Sequence, residues 1–69
     1  MYKVFFENSN GEKRCIGAAA QKEKANKIII DFLNERNFKS YYWRRWNTKD
    51  NIERIDVGSH TEFFEIHNV

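Results

Sequence analysis

Apolar and polar positions alternate over Tyr2 to Glu7, in the run YKVFFE, and this period of two predicts a strand rich in strand-forming residues. The polar stretch Asn8-Ser9-Asn10-Gly11 follows, and Asn-Gly is a strong hairpin signal because both residues tolerate positive φ. A turn centred on Asn10-Gly11 pairs Glu7 with Arg14, Phe6 with Cys15 and Phe5 with Ile16. That register joins one opposite-charge pair to two apolar pairs, so a hairpin over residues 2–17 is expected.

The period then changes. Ala18, Ala25, Ile28, Ile29, Phe32 and Leu33 fall on one stripe at three- and four-residue spacing, with Lys22, Lys24, Lys27, Asp31 and Glu35 outside it. The spacing predicts the chain's one helix from Ala18 to about Asn37, with Glu23 and Lys27 ordered as an i,i+4 pair. No Ser, Thr, Asp or Asn caps its start, and Asn34 or Asn37 suits a left-handed stop. Alternation returns over residues 40–47, and residues 47–51 read as a polar turn. Residues 52–58 and 62–67 supply one bent strand or two, broken near Gly58-Ser59-His60-Thr61. The expected fold is α+β in two layers: a small antiparallel sheet, ββαββ or ββαβββ, with one helix packed on one face of a single domain.

The run Tyr41 to Trp46, YYWRRW, splits by parity. With a turn over residues 47–51, Trp46 lies opposite Ile52, Arg45 opposite Glu53, Trp43 opposite Ile55 and Tyr41 opposite Val57. Tyr41, Trp43, Ile55 and Val57 then make a core face for the helix to cover, with an Arg45–Glu53 pair at its rim. The opposite face collects Tyr42, Arg44, Trp46, Ile52, Arg54 and Asp56, mixed in character and wet. Such a row suits stacking on bases with guanidinium groups on phosphates, or a protein interface rich in Tyr, Trp and Arg. It also suits arginines lying flat over aromatic rings with no ligand at all.

Composition narrows the class. Sixty-nine residues with 41% hydrophobic and 16% aromatic content make a folded domain near the lower size limit for autonomous folding. No proline and three glycines leave little room for long irregular loops. The single cysteine, Cys15, excludes an internal disulfide, fits a reducing cytoplasm, and beside Ile16 is expected to be buried and inert. No apolar run reaches the roughly 18 residues of a membrane span, and MYKVFFENS lacks a secretory pattern, so no membrane association is expected. Net charge is only +2, but residues 38–51 carry +3 and residues 52–69 carry −3. Neighbouring strands whose charges face each other show this distribution.

Catalytic chemistry finds no support. Asp56, Ser59 and His60 are close in sequence, yet neighbours on an extended chain point apart whereas a triad must converge. His60, His67 and Cys15 match no zinc spacing, and Gly11, Gly17 and Gly58 are isolated, so no metal, cofactor or phosphate loop is expected.

The stretches NFKSYYWRRW and IDVGSHTEFFEI, about 25 residues with the turn between them set aside, resemble small accessory proteins of phages and mobile elements of Gram-positive bacteria. Asn, Ile and Lys make up 22 of the 69 residues, a usage similar to that of AT-rich genomes. The resemblance implies a protein that binds a host protein and blocks or redirects it, anti-CRISPR proteins being one example; it carries over no catalytic residue. The expected partner-binding surface is Tyr42, Arg44, Trp46 and Arg54, extended by His60. A host protein is the leading partner, nucleic acid at the same face the alternative. Homodimerisation through an unpaired sheet edge, such as the last strand, is a third.

Overall fold

The alternating runs become five strands and the helical stripe one helix: β1 (Tyr2–Glu7), β2 (Lys13–Ala19), α1 (Lys22–Glu35), β3 (Arg44–Asn47), β4 (Ile52–Asp56) and β5 (Phe63–Asn68). The structure, a computed structural model, describes residues 1–39, 42–48 and 50–69. The expected core role of Tyr41 therefore lies outside the described residues.

Both local hairpins close on the same loop. In the first, Asn8 N–H donates to the Glu12 carbonyl at 2.9 Å and Gly11 N–H to the Asn8 carbonyl at 3.0 Å, giving three loop residues rather than two. Gly11 takes φ +83, the left-handed residue that ends this kind of turn. Asn8 Oδ1 accepts the N–H groups of Asn10 and Glu12 at 2.9 and 3.0 Å and holds the loop shut. The third loop residue corrects the expected register: Glu7 faces Lys13, Phe6 faces Arg14 and Phe5 faces Cys15. A β-bulge between Val4 and Phe5 absorbs the shift, so that Val4 faces Gly17, as the two-residue turn requires.

In the second hairpin Thr48 N–H donates to the Ile52 carbonyl at 2.8 Å, and Asn51 is the left-handed residue at φ +58. The strands are therefore longer at the turn than expected, and each partner moves by two: Trp46 faces Arg54, Arg45 faces Ile55 and Arg44 faces Asp56. A two-residue slip preserves parity, so the division into faces stands while the pairs change.

The helix starts later than its pattern suggests, at Lys22, because Ala18 and Ala19 extend β2 opposite Lys3 and Tyr2. Gln21 occupies the cap position without a side-chain hydrogen bond. At the other end Asn37, at φ +55, provides the left-handed stop. Its N–H donates to the Asn34 carbonyl at 3.1 Å and Phe38 N–H reaches the Leu33 carbonyl at 3.0 Å, which satisfies two orphan carbonyls and folds Phe38 back onto the core. Lys27 is bonded to Asp31 at 2.9 Å, on the exposed side.

The sheet is antiparallel throughout, in the order β2-β1-β5-β4-β3. The last strand is thus central, not an edge: β1 and β4 cover its two sides, and the edges are β2 and β3. Residues 52–67 form two strands, separated by a bend where Gly58 takes φ +95. Ala25, Ile29 and Leu33 of the helix close over Val4, Phe6, Ile55, Val57, Phe64 and Ile66. Phe6, Phe32 and Phe64 pack in a triangle of tilted and edge-to-face rings with centroids 4.8–5.6 Å apart, covered by the Arg36 guanidinium 5.0 Å from the Phe6 ring. The helix lies over β1 and β2, while Phe38 and Trp43, from the connection after it, pack against the remainder of the core.

Ile29 is fully buried between helix and sheet. Ile29→Val is expected to lower unfolding free energy by about 0.5–1.5 kcal/mol, the range for one deleted core methylene. Urea denaturation followed by Trp fluorescence reads this as a lower midpoint with an unchanged slope.

Candidate functional site

The helix covers one face of the sheet, and the opposite face is built from every other residue of each strand. One row across all five strands reads Cys15, Phe5, Glu65, Arg54 and Trp46, each the Cα partner of the next. A second row reads Lys13, Glu7 and Phe63, and Arg44 faces Asp56 at its level. The third reads Ala18, Lys3, His67 and Ile52.

Charged side chains from four strands meet in the middle. Arg54 grips Glu7 with both terminal nitrogens, at 2.8 and 3.1 Å, and donates to Glu65 Oε2 at 2.7 Å. Lys13 Nζ lies 3.1 Å from the same Glu65 oxygen. His67 Nε2–H donates to Glu65 Oε1 at 2.9 Å, since an ionised carboxylate only accepts. The Arg54 guanidinium also lies 4.4 Å from the centroid of Phe63, and the His67 ring packs against Phe5, tilted, with centroids 4.4 Å apart. Among the described residues no buried side-chain nitrogen or oxygen lacks a partner.

The electrostatics follow from this geometry. The hydrogen bonds from Arg54 hold the Glu7 carboxyl below the ordinary glutamate range, against a smaller opposing effect of burial. Burial pushes Glu65 up, but hydrogen bonds from His67, Lys13 and Arg54 outweigh it and leave that carboxyl below the ordinary range too. Both acids are ionised at neutral pH, and they sit low. Glu65 has a side-chain exposure of 5% against 44% for Lys13, and Asp56 of 10% against 70% for Arg44. In each of these two pairs the acid is sunk in the sheet and the base rides above it.

Each residue expected at a partner surface now has a place. Tyr42 and Trp46 are among the most exposed large aromatics, at 46% and 42%, and the Tyr42 ring lies against Gly58 with Arg44 5.8 Å above it. Arg44 bonds Asp56 at 3.2 Å and remains outward. Arg54 is on the expected face but is the clamp of the ion cluster. His60 is exposed in the β4–β5 bend beyond Asp56, with φ +22. Trp43 and Arg45 belong to the helix side, where Arg45 lies 5.2 Å over the Trp43 ring and joins Asn26 of α1 at 2.9 Å to Glu53 at 3.2 Å. The expected Arg45–Glu53 pair forms on the diagonal, because Ile55 is directly opposite Arg45.

Sequence reasoning missed the cluster itself: Glu7, Lys13, Glu65 and His67, with Phe5 and Phe63 beside them. The parity of Glu65 and His67 on one strand was visible; the juxtaposition of β5 with β1 was not. Cys15 is exposed rather than buried, since the three-residue turn places it on the open face opposite Phe5. Asp56 spends its oxygens on Arg44 and on the Gly58 N–H at 2.9 Å, and Ser59 Oγ–H donates to Glu62 at 3.4 Å, so Asp56, Ser59 and His60 do not converge. Among the described residues no group of three or more His, Cys, Asp and Glu side chains is arranged to hold a metal ion. No helix among them is long and apolar enough to cross a membrane. A polar cleft of about 280 Å³ at the start of the helix contains Tyr2, Asn51 and Asn68, but its charges, Lys22 and Glu53, bind each other at 3.0 Å.

Comparison with known proteins finds no counterpart: no family model, curated protein or solved structure matches the chain.

The two depressed carboxyls set the acid response. A carboxyl with a lower pKa in the folded chain contributes stability that is fully present above its unfolded value, about 4.3, and is lost as pH falls through the folded value. Stability is therefore expected to decline from about pH 5 downward. Arg54→Met is expected to cost about 1.5–3 kcal/mol at pH 7, the range for charge-assisted hydrogen bonds, and to flatten that acid decline. Denaturation midpoints at pH 7 and at successively lower pH check both; an unflattened decline places the acid response elsewhere.

Proposed function

We propose that the chain is a non-enzymatic interaction protein that captures a host protein through the helix-free face of its sheet. In keeping with the resemblance noted above, we take it for a phage or mobile-element accessory protein that inhibits or redirects its target in the host cytoplasm, in the manner of an anti-CRISPR. The observation that supports this most is the division of labour on that face. Its acids are sunk and satisfied, while Tyr42, Arg44 and Trp46 stand exposed above a fixed frame. Aromatic and arginine side chains on a rigid base are the composition of interface hot spots, because they bury much area with little side-chain ordering left to lose.

Nucleic acid is the second reading, favoured by the outward position of Lys13 and Arg44. It is the weaker one. Lys13, Arg44 and Arg54 are matched by Glu7, Glu65 or Asp56, and the net charge of +2 leaves few cations to neutralise phosphates.

Trp46→Ala is expected to keep the fold, since the strand holding it has no buried side chain, and to abolish capture of a protein from host lysate. A pull-down with and without nuclease, compared with wild type, reads the result. Unchanged capture removes this face from the proposal. Capture that vanishes with nuclease, or quenching of Trp fluorescence by single strands at low salt, gives the face to nucleic acid.

A further inference from the structure

The two edges of the sheet differ. β2 is longer, but its bulge breaks the step of its backbone groups, a device that protects an edge from pairing. β3 is regular over its four residues, and all four are exposed. A strand with no buried side chain lacks the usual hydrophobic reason for being there; pairing with β4 and the turn hold it. Thr48 bonds Ile52 across the ladder, so by alternation Trp46 and Arg44 spend their backbone groups on β4. Arg45 and Asn47 turn theirs outward.

Charge decides what fits beside it. β3 carries Arg44 on the open face and Arg45 on the helix face, with side-chain exposures of 70% and 35%, and no acid. Pairing β3 with that of a second copy crowds four arginines into two short strands, which like-charge repulsion opposes. Arg44 and Arg45 each hold one acid of this chain through a single terminal nitrogen, Asp56 and Glu53 at 3.2 Å. A guanidinium has donors for a second carboxylate, so an acidic strand meets a base on either face. We propose that β3 accepts an extended acidic segment of the protein partner as an added strand, with acids alternating with apolar residues so that one apolar side chain rests on Trp46. The inference rests on the reading of this face as a protein-binding surface and specifies its mode. A peptide strand supplies both donors and acceptors to Arg45 and Asn47, whereas phosphate oxygens only accept, so the edge favours a peptide over a nucleic acid.

The probe is a synthetic octapeptide alternating glutamate and valine, added to isotope-labelled protein. Its controls are the lysine–valine peptide, a glutamate–valine peptide N-methylated at alternate amides, and single-stranded oligothymidylate. Binding of the first peptide is expected to slow amide exchange at Arg45 and Asn47 by at least about tenfold, with each control bound about tenfold more weakly or less. Asn47→Pro removes an outward N–H and leaves the β4 ladder intact, and is expected to weaken the peptide about tenfold with an unchanged circular dichroism spectrum. If that variant does not fold, the N-methylated peptide makes the same test on the wild-type chain. Absence of binding at millimolar peptide, binding with unaltered exchange at Arg45 and Asn47, equal binding of the N-methylated peptide, or preference for oligothymidylate overturns the proposal. Host-protein capture that is lost in Trp46→Ala but retained in Asn47→Pro removes strand addition alone; capture retained in both removes the face as well.

Discussion

One helix can cover only one face of a sheet, and much of this molecule follows from that limit. At about 1.5 Å per residue the 14-residue helix is roughly 21 Å long, and it lies over β1 and β2. The inner face is completed by Phe38 and Trp43, and none of the elements among the described residues forms a second layer on the outer face. A sheet side left to water must be neither a bare apolar plane, which invites association, nor a set of buried unpaired charges. Here the central strands carry Phe5 and Phe63 for bulk, with Arg54 laid over Phe63 and His67 over Phe5. The carboxylates of Glu7 and Glu65 lie beneath the bases that neutralise them. An ion cluster of this kind adds little net stability compared with well-packed apolar groups, but removing one member leaves a half-buried charge behind. Its effect is to fix where the side chains of four strands sit.

The same turn chemistry serves both hairpins. Each uses three loop residues and ends on a left-handed one, glycine in the first and asparagine in the second. Their consequences for register differ. A displacement of two leaves each side chain on its own side of the sheet, so the separation of Trp43 and Arg45 from Tyr42, Arg44 and Trp46 was legible despite wrong pairs. A displacement of one exchanges the sides, and in the first hairpin the bulge at Val4 restores the original alternation. This is why the apolar pattern of β1 and the far half of β2 read correctly while Cys15 did not.

Local signals account for most of what the sequence disclosed. The 3.6-residue stripe marked Ala25, Ile28, Ile29, Phe32 and Leu33, and the asparagine stop fell at Asn37, one of two positions compatible with it. The helix start was misplaced because alanines suit either structure and no capping side chain marks the boundary. Opposed charges on β3 and β4 were visible as a basic segment followed by an acidic one, and they meet as Arg44–Asp56 and Arg45–Glu53. What stayed hidden was the order of strands. Arg54 and Glu7 are 47 residues apart, and no periodicity announces that β5 inserts between β1 and β4 to bring them together.

That insertion has a kinetic side. The two hairpins are built from neighbouring residues and share no strand-to-strand contact of their own; β5 lies between them. During synthesis, β1 has one flank unpaired until β5, which begins 56 residues after β1 ends, has been made, and that strand unites the halves. Loss of β5 would therefore divide the sheet instead of trimming it. Folding is then governed by a long-range closure of high entropic cost, which places this small domain among slower folders than its length alone suggests.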